Sequence, residues 1–377
     1  MINNSAADGR IAVRESHIEL LRIIIMICVV ANHFVSHSGL TVADSSINAN
    51  FLWIQLLKLC GKISVDIFVL ISGYFSITSQ KKVTAKAARM WLQLFTYSAG
   101  IFAVFCLAGL QPFSIKEMIR HIMPVTFANW WFASTFFVML LFSPYINKLL
   151  LALGRNAHKG LIALMGICWS VIPTFTAQDF EGNALIWFVF LYSCGAYLRL
   201  YNPFERIKKS TCFISAALLI LLTLASSLII NFAGAKYPAL KAHQFYFFGM
   251  QRINVLVIDI LLLEGFTKIK IGRSRIINLI ASATFGVYLI HDEKFMRSFL
   301  WDRLFKVNEY SKSKMLIPYS IAVILLVFIS CIVIELIRAN TLEKLYMKPV
   351  KRAVEKFEKA AQKFINTNSY FKRKNER

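Results

Sequence analysis

Charged residues are scarce in this sequence: they make up 17% of its 377 positions, against 57% hydrophobic and 14% aromatic. With a mean hydropathy of +0.57, that balance excludes an ordinary water-soluble domain, which needs a larger charged share to cover its surface. Close cysteine pairs are also missing. The seven cysteines, Cys28, Cys60, Cys106, Cys168, Cys194, Cys212 and Cys331, lie in or beside apolar runs, and no two show a C-x-x-C spacing. That excludes a zinc or disulfide framework and leaves them as small packing residues, with no metal expected. Nor is a cleavable leader expected, because Asp8, Arg10, Arg14 and Glu15 precede an apolar stretch longer than a signal h-region, with no small-residue cleavage site after it. Internal repeats and low-complexity segments are lacking as well. Acid is the scarcer sign, 20 Asp and Glu against 43 Lys and Arg, for a formal charge of +23. Such a surplus can mark a nucleic-acid partner, but here it falls in short loops and one tail. Membrane topology and anionic lipid explain that distribution, and nucleic acid is not an expected partner.

What the chain has in abundance is apolar runs of about 20 residues, the length needed to cross a bilayer. They place helices near 17–36, 52–77, 88–110, 129–148, 159–177, 184–201, 211–232, 245–266, 276–294 and 315–338. The fold class is therefore all-α, a polytopic integral membrane bundle of about ten transmembrane helices. Residues 1–16 form an N-terminal segment, 17–340 one transmembrane domain, and 341–377 a basic tail. With the N-terminus inside, the inner segments hold 17 Lys and Arg before the tail is counted, and the outer ones 10. Both termini are then cytoplasmic, although the last outer loop, 292–314, runs against the bias. The tail segment KPVKRAVEKFEKAAQKFI sets Val350, Val354, Phe357 and Phe364 among lysines at roughly helical spacing. That pattern fits either an amphipathic helix on anionic headgroups or a solvated charged tail.

Ionisable residues inside membrane helices are costly, so each is a candidate for function, with a structural ion pair as the ordinary alternative. The first helix, ESHIELLRIIIMICVVANHF, carries Arg22 and His33 in an otherwise apolar run. Eleven positions at about 100° each exceed three turns by only about 20°, so the two side chains share a face, about 16 Å apart along the axis. Taken singly, Arg22 could be a snorkelling anchor paired with Glu19, and His33 a satisfied core histidine. Helix 2 contains SVDIFVLISGYF, with Asp66 and Ser72, and Gly73 there allows a close helix approach or a break. Lys86 and Arg89 follow, three apart on one face. Helix 4 begins NWWFASTFFVMLLFSPYI, and helix 9 ends ATFGVYLIHDEKF, with His291 near its outer end. Arg252 and Asp259 share a face of helix 8, where a structural ion pair is expected.

These stretches resemble acyltransferase family 3, membrane enzymes that include bacterial O-acetyltransferases of surface polysaccharides. The resemblance covers roughly residues 14–340. It rests first on an arginine and a histidine separated by ten residues, met by Arg22 and His33. Next come VDIFVLISGYF, similar to the family's G-V-D-x-F-F-x-x-S-G-F, the tryptophan-rich start of helix 4, and GVYLIH with its late histidine, His291. Two positions depart from the pattern: Lys86 stands where an arginine is common, and Ser64 where glycine is usual. No esterase-like domain follows helix 10, which fits a stand-alone form.

The resemblance implies transfer of an acyl group, most often acetyl from acetyl-CoA as acyl donor, to a hydroxyl of a cell-surface polysaccharide or its lipid-linked precursor, in the bacterial cytoplasmic membrane. His33 suits the general base and Arg22 its partner in catalysis. Arg22, Lys86 and Arg89 suit the phosphates of a cytosolic donor. Asp66 would orient a histidine, pair with Arg22 or only anchor its helix; Ser72 and His291 are substrate contacts or structural supports. The competing reading is an exporter or flippase of a polysaccharide or lipid-linked sugar, which would show inverted repeats and matching broken helices that this sequence lacks.

Overall fold

The computed structural model describes residues 15–40, 48–80, 82–176 and 178–375. Most of the expected N-terminal segment, with Arg10 and Arg14, and Lys81 lie outside them. Every regular element among the described residues is helical. In chain order these are α1 Ser16–Ser36, α2 Ala49–Ser76, α3 Val83–Leu107, α4 Ile115–Ile122, α5 Trp131–Gly166, α6 Ile172–Thr176, α7 Ala184–Tyr201, α8 Lys209–Lys236, α9 Ile253–Thr267, α10 Arg275–His291, α11 Lys294–Ser298, α12 Leu316–Asn340 and α13 Leu342–Asn375.

Seven described segments are long and apolar enough to cross a membrane: Ser16–Ser36, Val83–Leu107, Trp131–Thr176, Ala184–Tyr201, Lys209–Lys236, Pro238–Thr267 and Leu316–Asn340. The chain is a multi-pass membrane protein. Seven falls short of ten for readable reasons. The 28-residue α2 carries Lys58, Lys62 and Asp66, which depress its hydropathy, and α10 has only 17 residues. Trp131–Thr176 holds two expected helices, and Gly154 breaks it at φ 66° and ψ 173°, outside helical space.

Apolar residues face both ways. Ile18, Leu21, Val30, Ile67, Leu70, Leu191 and Leu289 are almost fully enclosed. Ile214, Leu218, Leu221 and Ile229 on α8, and Leu326, Ile329 and Val333 on α12, lie open, as helices lining an acyl-chain solvent require. Polar caps fix several entries: Asn48 Oδ1 accepts from Phe51 N, and Asn183 Oδ1 from Leu185 N and Ile186 N.

Two helices hold the centre. α1 packs on α2, α10 and α12, and α2 packs on α7. At the α2–α7 crossing a Cβ on Gly73 would come within 2.1 Å of the Tyr192 carbonyl oxygen, and one on Gly195 within 2.1 Å of the Leu70 carbonyl oxygen. Gly73 therefore serves close approach, and α2 continues through it to Ser76. The expected Arg252–Asp259 ion pair is absent among the described residues. Arg252 stands at the N-cap position of α9 instead, with its guanidinium donating to the carbonyls of Pro173 and Tyr246, while Asp259 is buried beside Asp66. The helix starts one residue too late for the two to share its face.

Gly73→Ala and Gly195→Ala will each force α2 and α7 apart and lower stability by about 1–3 kcal/mol, the range for overpacking a tight contact. Thermal unfolding in detergent, compared with Gly100→Ala, where the added Cβ meets nothing within 4 Å, checks this.

Candidate active site

Enclosed by α1, α2, α3, α5, α10 and α12 is a cavity of about 390 Å³. Arg22, Ser72, Lys86, Arg89 and Glu335 line it toward one end, and Asn32, His33 and Tyr288 toward the other. The α1 register sets this axis, because Arg22, Met26, Val29 and His33 recur on one helical stripe and all four line the space. The structure thus brings Arg22, His33, Lys86, Arg89 and Ser72 to one cavity.

His291, the last residue of α10, lies fully buried behind His33, with its Nε2 2.9 Å from His33 Nδ1. Its own Nδ1 faces the Val287 carbonyl at 2.5 Å. A carbonyl can only accept, so His291 Nδ1 carries the hydrogen and its Nε2 offers a lone pair to the N–H of His33 Nδ1. His33 Nε2 is then the bare nitrogen of the neutral ring. A proton taken there makes an imidazolium whose Nδ1 lies 3.3 Å from Asp292 Oδ1. The arrangement is that of a base oriented by a second group and balanced by a carboxylate.

Asp292 is itself held on both sides. Its Oδ1 accepts from His37 Nε2 at 3.1 Å and from Arg297 Nε at 2.8 Å. Asp292, His37 and Arg297 escaped the sequence reading, although Asp292 stands next to His291 and His37 stands one turn beyond His33. The ligand-type atoms of His33, His37 and Asp292 lie within 4.8 Å of one another, a set that could hold a metal ion. Arg297 already supplies positive charge to that carboxylate, so the geometry favours the hydrogen-bonded relay.

At the opposite end the basic residues have acidic neighbours. Arg22 Nη1 lies 3.7 Å from Glu19 Oε1, and Arg89 Nη2 lies 2.6 Å from Glu343 Oε1 at the start of α13. Glu343 also receives Arg338 Nη2 at 2.6 Å, and Arg338 grips Glu335 in bidentate fashion at 2.7 and 2.8 Å. Gln93 Nε2 completes the buried cluster with a bond of 2.9 Å to Glu335. None of the last four residues was singled out from sequence.

Asp66 stands apart from this site. Fully buried, it accepts from Trp187 Nε1 at 3.0 Å and adjoins Asp259 in the seam between α2, α7 and α9. Among the described residues it contacts Trp187 and Asp259 and no histidine, which leaves the role of a helix anchor in place of the other two expectations. The α2 register explains this: Asp66 points into the α7 side, whereas Lys62 and Val65 face the cavity.

A family model described as an acyltransferase domain, acyltransferase family 3, matches residues 16–336. The chain belongs to that family. No curated protein and no solved structure matches it. The matched span contains every cavity-lining residue and ends before α13, so the chain is a membrane acyltransferase whose tail helix lies outside the matched domain. α13 packs on α3 and α12, where Glu358 pairs with Lys82 and Thr84. Phe357 on the same helix is 69% exposed among lysines; the side chain of Phe364 lies outside the described residues.

Outside the spans, His121 on the short α4 secures the turn after His291. Its Nε2 lies 3.3 Å from Glu293 Oε1, and Glu293 caps α11 through Phe295 N and Met296 N. Burial disfavours a charged His121, but the Glu293 carboxylate and the Glu117 carbonyl outweigh it and hold its pKa above the usual 6.5. A raised native pKa stabilises the fold below the unfolded value and loses that contribution as pH climbs through the native value. The unfolding midpoint will therefore fall above about pH 6.5, and the fall will be shallower in Glu293→Gln. Melting curves across pH 5.5–8.5 for both proteins, over about that span, check it.

Proposed function

We propose that this acyltransferase moves acetyl from acetyl-CoA to a hydroxyl of a cell-surface polysaccharide or its lipid-linked precursor, from a site within the bacterial cytoplasmic membrane. The observation that carries the reading is the single cavity shared by Arg22, Lys86 and Arg89 at one end and His33 at the other. With both termini cytoplasmic, the basic end faces the cytosol, where acetyl-CoA resides. Its phosphates would displace the carboxylates of Glu19 and Glu343 from Arg22 and Arg89, and its extended pantetheine arm would lie along the α1 stripe toward His33.

At the far end the acceptor hydroxyl loses its proton to His33 Nε2 as its oxygen attacks the thioester carbonyl. The imidazolium so formed is balanced by Asp292, then returns the proton to the departing thiolate. Ser72 lines the basic end as a donor contact, and His291 acts through His33. The basic face of α13 rests on anionic headgroups beside the donor entrance, with Phe357 toward the acyl chains.

Cells carrying the intact chain will show ester-linked acetate on their envelope glycans. His33→Ala will reduce it by about 10²- to 10⁴-fold, the usual contribution of a general base. Arg22→Ala will raise the KM for acetyl-CoA more than it lowers kcat. Unchanged ester content in correctly inserted His33→Ala protein contradicts the reading; glycan that no longer reaches the surface at all points to export instead.

A further inference from the structure

Besides Arg22, Lys86 and Arg89, a fourth cation lines the cavity, Lys62. Lys62 sits in the middle of α2, is exposed, and makes no hydrogen bond, close ion pair or ring contact among the described residues. Its neighbours are otherwise committed. Arg22 and Arg89 face carboxylates, and Lys58, one turn away, lies 4.5 Å over the Phe245 ring. Asp66, one turn on, feels the Lys62 charge only at longer range, because its carboxylate accepts from Trp187 on the α7 side. An ammonium that lines a cavity at membrane depth, with no close counter-ion among the described residues, marks a place where a ligand brings negative charge.

Its depth can be read from the α1–α2 contact. A Cβ on Gly61 would meet Asn32 Cβ at 2.3 Å, and Asn32 Nδ2 donates to the Lys58 carbonyl at 2.9 Å, so residues 58–61 lie level with Asn32. Lys62 is one residue deeper, and His33 one residue beyond Asn32. Side chains lean toward the N-terminus of their own helix, and the two helices run antiparallel. Lys62 therefore leans toward the His33 end and His33 leans back toward Lys62, so both converge on one slice of the cavity.

We propose that Lys62 is a further catalytic residue, the cation that receives the negative charge formed on the thioester oxygen while His33 acts as base. This rests on the acyl-transfer reading. As the acceptor oxygen bonds to the thioester carbon, its proton passes to His33 Nε2 and the carbonyl π pair moves onto oxygen, against the Lys62 ammonium. When that pair returns, the carbon–sulfur bond breaks, its electrons leave on sulfur, and the thiolate takes the proton from His33. The step balances with the acceptor and donor alone. A cation placed where charge develops is worth more in a dry cavity than in water.

The test uses the full chain with Lys62→Met and Lys62→Arg. Methionine keeps the length of the side chain and removes a charge from a membrane helix, so insertion does not suffer. Two quantities are measured: the rate at which ester-linked acetate appears on envelope glycan, per inserted protein, and the affinity of the purified protein in lipid discs for acetyl-CoA. Lys62→Met will slow ester formation by about 10²- to 10³-fold with acetyl-CoA affinity changed by less than about threefold, and Lys62→Arg will recover part of the rate. A rate in Lys62→Met within about threefold of the parent overturns the assignment, as does an equal loss of rate and affinity, which makes Lys62 a donor-binding contact. A parent chain that forms no ester overturns the acyl-transfer reading itself, whereas an active parent with an equally active Lys62→Met overturns only the role of Lys62.

Discussion

Charge inside an apolar bundle is the constraint on which the rest of this structure depends. An ionisable side chain at membrane depth costs about 2.5–3.5 kcal/mol on insertion scales unless a partner or water receives it. The protein answers in three ways. It neutralises acids with cations in closed clusters, as Glu335, Arg338, Glu343 and Arg89 do at one end and Asp292, Arg297 and His37 at the other. It sets two acids side by side in the α2–α9 seam, Asp66 and Asp259. And it opens a cavity, which gives Lys62, Lys86 and Arg22 a polar space to face.

Those clusters also fix the shape of the site. The Asp292 cluster ties the end of α1, through His33 and His37, to the end of α10, through His291. The Glu335 cluster ties α3 and α12 to the start of α13. Between them runs α1, nearly straight-sided in register, so that a donor gripped by its phosphates at one end presents its thioester at the other. In the proposed reaction, specificity for a long donor with a charged head and a reactive tip is then a consequence of helix pitch.

Much of this was legible in the sequence. Run length and composition gave the helical membrane fold, because lipid leaves no other solution for so apolar a chain. Helical arithmetic alone sets Arg22 and His33 on one stripe, and of the two readings open for Gly73, close approach or a break, the first holds. What stayed hidden depends on contacts between distant helices. Asp292 is an acid beside a histidine like many others until α1 swings His33 and His37 over it. Asp66 lies only four positions from Lys62, yet Lys62 lines the cavity while Asp66 is buried on Trp187 of α7, a difference set by which helix packs on each. The Arg252–Asp259 pair failed because helical arithmetic assumes a helix, and α9 begins just after Arg252.

The central claim is that one continuous cavity seats an acyl donor with its phosphates at Arg22, Lys86 and Arg89 and its acyl group at His33. The most direct measurement is an electron cryomicroscopy structure of the protein in lipid discs with a non-hydrolysable thioether analogue of acetyl-CoA. The account predicts analogue density running along α1, with phosphates at the Arg22 end and the acyl carbonyl beside His33. Density outside the cavity, or with the acyl group turned away from His33, would contradict it.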